Sequence, residues 1–229
     1  MPEDQIENTP IIVSIDGNIG AGKTTLFKLL EEKFVMRKKF IFLEEPVSVW
    51  QTIQDEGGRN LLELFYEDSA SWAFSFQIAA FISRLAILQY TLRKNPNSII
   101  ITERSLNTDR HVFAKMLYEQ NNINNINYQI YLKWFDTFTK DYPLTKIIYV
   151  KTDPTLCYER IKERSREGEE TIPLEYLETC HRYHENMINI FDERNVTFID
   201  GNIDITINPQ AIKSWIEIVE STLYEYMHL

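Results

Sequence analysis

The chain has 229 residues, a length that suits one large α/β domain, and 44% of them are apolar and 25% charged. That composition excludes a disordered chain. Thirty-four acidic against 24 basic side chains give a net charge of −10, a sign that repels phosphate backbones and excludes duplex nucleic acid as a partner. Cys157 and Cys180 are too few for a disulfide framework or a four-thiolate metal site, and both read as buried thiols of a reducing compartment. The acidic start Met1-Pro2-Glu3-Asp4 resembles neither a secretory signal nor an Arg-rich transit peptide. No apolar run approaches the ~20 residues of a membrane span. The expectation is one cytoplasmic domain over residues 1–229, with no membrane partner and a flexible tail at residues 1–10.

Five β-branched, nearly continuous apolar runs read as parallel strands covered on both faces: Ile11–Ile15, Phe40–Leu43, Ser98–Thr102, Lys146–Val150 and Val196–Ile199. Between and after them, helical spacing marks Lys23–Phe34, Ser71–Arg93, Thr108–Glu119, Tyr128–Thr139, Pro154–Arg164, Pro173–Phe191 and Pro209–Tyr226. Strand alternating with helix predicts a doubly wound α/β fold. Pro154, Pro173 and Pro209 sit where proline starts a helix comfortably. The asparagine-rich stretch Asn121–Asn127 reads as a turn and receives no function.

Gly17-Asn18-Ile19-Gly20-Ala21-Gly22-Lys23-Thr24 matches G-x-x-x-x-G-K-[ST] between the first strand and the first helix, the context that the motif requires. Glycines let backbone N–H groups wrap phosphates, and the helix N-terminus adds a favourable dipole. Lys23 is expected to reach the terminal phosphates, and the Thr24 hydroxyl to sit on Mg²⁺. Asp55-Glu56-Gly57-Gly58 mimics a GTPase D-x-x-G but follows no strand, and the Asn-Lys-x-Asp base reader is absent. A small chain with its phosphate loop near the start points to a small-molecule kinase.

Glu45, before Pro46, ends the second strand at the ligand-binding edge of such sheets, where a carboxylate would take the proton of an attacking hydroxyl. A solvated loop glutamate is the competing reading. Glu103 and Arg104 end the third strand at the same edge, the first to hold Mg²⁺ indirectly and the second to orient Glu45 or bind developing charge. Otherwise the two would form a salt bridge between loops. Gln77 and Arg84, seven apart among Phe76, Ala80 and Phe81, share one helix face that suits either a base edge or a solvated stripe, the default for Arg84 alone. Arg160, Arg164 and Arg166 precede a glycine-containing acidic turn. They fit either a helix-dipole complement or a mobile lid over a triphosphate.

Together, the Gly17–Thr25 loop, Glu45-Pro46-Val47 with Trp50, Tyr66, Phe76-Gln77, Glu103-Arg104-Ser105 and the arginines before Ile172-Pro173-Leu174-Glu175-Tyr176-Leu177 resemble the deoxynucleoside kinases. These are the enzymes related to deoxycytidine and deoxyguanosine kinase, and the similarity runs from about Ile11 to the last helix. The resemblance implies a P-loop NTPase-like α/β fold, a five-stranded parallel sheet flanked by helices with a helical lid. The reaction it implies is transfer of the ATP γ-phosphoryl group, with Mg²⁺, to a deoxynucleoside 5′-hydroxyl. By the same resemblance, Glu45 is the general base, Arg104 its partner at the 5′-oxygen, and Glu103 the Mg²⁺-site carboxylate. Tyr66 and Glu169 hold the sugar 3′-hydroxyl, Trp50, Phe76 and Phe113 enclose the base, and Gln77 reads its edge. Gly17 to Thr25 and the three lid arginines bind ATP, with Ile203, Asp204 and Ile205 over its adenine, and the protein is a homodimer.

Arg84 and Asp109 match an arginine and an aspartate that pair in the purine- and cytidine-type members. Such a pair offers a donor and an acceptor that suit a purine edge better than thymine. Deoxyadenosine or deoxyguanosine is therefore the expected substrate, with a deoxycytidine-preferring or broad-specificity kinase as the alternative. A thymidylate kinase fits less well, because Glu45 would repel an acceptor phosphate. A non-catalytic nucleotide sensor has no need of Glu45, Glu103 and Arg104 together.

Overall fold

A computed structural model describes residues 10–164, 171–205 and 207–227. Arg166, Glu169 and residues 1–9 of the expected tail lie outside them.

Five parallel strands, β1 (Ile11–Asp16), β2 (Phe40–Leu43), β3 (Ile99–Glu103), β4 (Lys146–Lys151) and β5 (Val196–Asp200), form one sheet in the order β2-β3-β1-β4-β5. The central strands are apolar throughout because both faces are covered. On β3, Ile99 and Ile101 enter the core under α1 (Lys23–Phe34), while Ile100 enters the opposite core. The first core is completed by α8 (Pro154–Arg164) and α10 (Pro209–Met227), the second by α4 (Ser69–Lys94) and α7 (Asn125–Phe138). Pairing of Ile15 with Glu103 and of Leu43 with Thr102 brings the ends of β1, β2 and β3 to one edge. The chain order reverses about β1, so this edge carries the crevice of a doubly wound sheet.

Two short helices between β2 and α4, α2 (Val47–Gln51) and α3 (Leu61–Glu67), are missing from the sequence-based expectation. A capping box starts α3: the Asn60 side chain accepts from the Leu62 and Glu63 N–H groups, and Glu63 accepts from the Asn60 N–H at 2.6 Å. Asp55-Glu56-Gly57-Gly58 lies in the turn before it. Asn121 takes a positive φ of 62° and Asn124 caps α7, so the asparagine tract is a turn followed by a cap, and α7 starts earlier than periodicity suggested.

After β3 the chain runs through α5 (Leu106–Thr108), a π-helical turn (Asp109–Ala114) and α6 (Lys115–Glu119). The predicted Thr108–Glu119 helix is therefore widened by one turn, a distortion that recurs at functional sites. Helix α9 (Leu174–Ile188) follows Pro173, which occupies its N-cap.

The expectation that no apolar run nears bilayer length does not hold for α4. Its 26 residues reach a mean hydropathy of 1.4 over 18 residues, long and apolar enough to cross a membrane. Here Phe81, Leu85, Leu88 and Leu92 pack into one core and Ala73, Phe76 and Ala80 into another, and Gln77 and Arg84 interrupt them on the face toward the crevice.

Candidate active site

The phosphate loop turns sharply from β1 into α1. Gly20 has φ 77°, and a Cβ there would stand 2.5 Å from the Cys157 carbonyl oxygen. Gly22, with φ 100°, caps α1 without a side chain and leaves the first-turn N–H groups facing the cleft. Asn18 pins the loop to α9, donating to the Leu177 carbonyl at 2.8 Å. Lys23 donates to the Asn18 carbonyl at 2.7 Å. Burial and the neighbouring Arg104 guanidinium lower its pKa to about 8.

Lys23, Thr24, Thr25, Arg160 and Arg164 line one cleft with Gly20 and Gly22. Arg160 donates to the Gly201 carbonyl at 2.8 Å, so the end of α8 is tied to the loop after β5. Ile203, Asp204 and Ile205 follow in that loop but are not among the residues lining the cleft, and Ile205 packs against the core.

A second cleft opens beside the first. Its apolar wall is built by α2, α3 and α4. Trp50 meets Phe76 edge-on at 5.3 Å, Phe65 stacks on Phe76 at 4.7 Å, and the Trp50 indole N–H donates to Ser83 at 3.0 Å. Burying each such ring contributes roughly 1.5–3 kcal/mol, so the slot is a fixed wall. Tyr66 and Phe113 complete it, Phe113 presented by the π-helical turn. Gln77 is buried, and its Oε1 has no partner among the described residues, which leaves a polar atom for a ligand.

At the floor of this cleft lies a chain of charges. The Arg84 Nη2 and the Arg104 Nε both reach Oε1 of Glu45 at 3.1 Å. The Arg84 Nε pairs with Asp109 Oδ2 at 3.0 Å, and its Nη1 donates to the Glu103 carbonyl at 2.8 Å. Arg104 also donates to the Gly17 carbonyl at 2.9 Å and lies over the Phe113 ring, 5.0 Å from its centre. Burial alone would raise the Glu45 pKa, but Arg104, Arg84 and Lys23 together hold it below the usual carboxylate range. Burial pushes Asp109 up to about 6 against the pull of Arg84. Between the clefts, the Thr24 hydroxyl donates to Glu103 Oε1 at 2.5 Å.

The structure thus gathers Glu45, Trp50, Tyr66, Phe76, Gln77, Arg84, Arg104, Asp109 and Phe113 around one cavity, with Lys23, Thr24 and Glu103 at its border. Sequence reasoning missed Phe65 and Tyr176, which line the same cavity. The Asn60-x-x-Glu63 capping box announced the helix that carries Phe65. Sequence reasoning paired Arg84 with Asp109 but not with Glu45, and Arg84 contacts both.

A phosphate loop beside a closed slot with a clamped carboxylate defines a P-loop phosphotransferase. The deoxynucleoside kinase family profile matches residues 13–224. Deoxycytidine kinase 2 from Gallus gallus is 37% identical over 196 residues, spanning 77% of this chain and 73% of its own. The mitochondrial deoxyguanosine kinase of Xenopus laevis is 34% identical over 194 residues, 77% of this chain and 72% of its own. Human mitochondrial thymidine kinase 2 is 33% identical over 188 residues, 81% of this chain and 67% of its own. The chain belongs to the deoxynucleoside kinase family, and the enzyme that it forms is a deoxynucleoside kinase.

Proposed function

We propose that the enzyme transfers the γ-phosphoryl group of ATP to the 5′-hydroxyl of a purine deoxynucleoside, deoxyadenosine or deoxyguanosine, with Glu45 as general base. The observation that carries this reading is the clamp on Glu45. Both guanidinium groups take Oε1, which leaves Oε2 for the substrate proton. The open first-turn N–H groups of α1 and Lys23 fit the phosphates, with Arg160 and Arg164 lining the same cleft. Thr24 and Glu103 are the pair that would hold Mg²⁺, whose charge would neutralise the phosphate oxygens. Arg104 links the Gly17 carbonyl to Glu45 and so ties the donor loop to the acceptor base.

The relatives are named for deoxycytidine, deoxyguanosine and thymidine, so the base preference rests on this chain's own cavity. Gln77 and the Arg84–Asp109 pair supply donors and acceptors that match the N7 and exocyclic group of a purine. A thymine methyl group would leave the carboxylate poorly satisfied. A deoxycytidine-preferring enzyme is the second reading, favoured by the similarity to Gallus gallus deoxycytidine kinase 2. Phosphoryl transfer from Mg-ATP to deoxyadenosine, deoxyguanosine, deoxycytidine and thymidine decides between them. The largest kcat/KM is expected for a purine, and efficient use of thymidine would overturn the purine assignment.

We assign the enzyme to a homodimer in the cytoplasm. Ile126, Ile130, Trp134 and Phe138 make an exposed apolar stripe along α7, beside Ile82 and Tyr90 of α4. An exposed apolar face suits a two-fold interface between copies. The two buried free thiols fit a reducing compartment. The net charge of −10 argues against nucleic acid as a partner, and the side-chain packing of α4 against membrane insertion.

A further inference from the structure

Asp16 is fully buried at the end of β1, directly before the phosphate loop, and makes no ion pair among the described residues. Its partners are neutral: Oδ1 accepts from the Ser105 N–H at 3.2 Å and from the Thr108 hydroxyl, and Oδ2 accepts from the Ser14 hydroxyl at 2.5 Å. Burying a carboxylate without a cation is unfavourable. Helix capping does not explain it either, because the Ser105 side chain already caps α5 by accepting from the Thr108 N–H at 3.1 Å.

The residue between these contacts and the catalytic floor is Arg104. Its φ of 64° is in the left-handed region, which a side chain as long as arginine seldom occupies unless its surroundings enforce it. The Arg104 N–H donates to the Ile15 carbonyl at 3.0 Å, and the next N–H, that of Ser105, donates to Asp16. Both ends of the unusual turn are thus fastened to the last two residues of β1. In that conformation the guanidinium faces Glu45 and the Gly17 carbonyl. Through Thr108 the same carboxylate also fixes the residue that precedes Asp109.

We propose that Asp16 is a positioning residue that locks the Arg104–Ser105 turn, and so keeps Arg104 on Glu45 and the acceptor base in register with the phosphate loop. This rests on the reading of Glu45 and Arg104 given above. Asp16 is not among the residues that line either cleft, and its bond to the Ser105 N–H is its link to Arg104.

A double-mutant cycle tests it with Asp16→Asn, Arg104→Ala and the double variant, reading kcat and both KM values with Mg-ATP and the best deoxynucleoside. Asp16→Asn keeps the shape but offers only one acceptor oxygen. The expected result is a kcat loss of ~10–100-fold, the scale of an ~1 Å misplacement of a catalytic group, with both KM values nearly unchanged. In the Arg104→Ala background, Asp16→Asn should cost almost nothing more. If Asp16→Asn costs its full loss again there, or loses no kcat alone, the proposal is overturned. If Arg104→Ala itself keeps wild-type kcat, the reading of Arg104 fails instead. Should Asp16→Asn not fold, Thr108→Val removes one of the same contacts and carries the cycle with the same two outcomes.

Discussion

The donor side of the crevice is built mostly of backbone: glycines of positive φ, an uncapped helix start and one lysine, all within Gly17–Thr24. On the acceptor side, side chains from β2, α4, β3 and the π-helical turn meet in a chain of buried charges, Asp109–Arg84–Glu45–Arg104. A triphosphate is recognised by a compact loop that serves any nucleotide. The acceptor must be discriminated and deprotonated, which requires groups brought from distant parts of the chain and held rigid before substrate arrives. Arg104 spans both sides, since one guanidinium contacts the Gly17 carbonyl and Glu45.

The comparison predicts different kinds of damage. The largest falls on Arg84, whose removal leaves Asp109 buried without its cation and frees one side of Glu45. Arg84→Met should lose ~3–5 kcal/mol of stability, the cost of breaking a buried pair, together with most turnover. Urea unfolding alongside steady-state assays measures both, and a variant as stable as wild type would show that the charge chain is not structural. Lys23→Ala should instead leave the fold intact and cut the single-turnover rate by ~10²–10³-fold, the usual loss on removing one preorganised charge-stabilising group. An unchanged rate would remove the phosphate loop from the mechanism.

The smallest effects are pH effects of opposite direction. Lys23, lowered to about 8, loses its charge as pH rises, so kcat/KM for ATP should fall above pH 8. Asp109, raised to about 6, loses its charge as pH falls, so kcat/KM for the deoxynucleoside should fall below pH 6. Two limbs on the same substrate would contradict the division of labour between the sides.

How much was legible in the sequence follows the same division. The five strands and the phosphate loop announce themselves, because a buried parallel strand is a continuous apolar run and the loop is contiguous. Helices α2 and α3 went unread, being only 5 and 7 residues long, too short for periodicity to register. Glu45, Gln77, Arg84 and Asp109 were visible as residue types at suggestive positions, and the family resemblance assigned them roles. That Arg84 serves Glu45 as well as Asp109, and that Asp16 fastens the turn carrying Arg104, depends on strand register, which no local pattern carries.

The central claim is that Glu45, kept ionised by two guanidinium groups, takes the proton of the acceptor hydroxyl. Glu45→Gln tests it directly, by single-turnover phosphorylation of deoxyadenosine together with the equilibrium affinity for ATP. The prediction is ATP affinity close to wild type and a rate lower by ~10²–10⁴-fold, the usual contribution of a general base. A wild-type rate with chemistry limiting would contradict it.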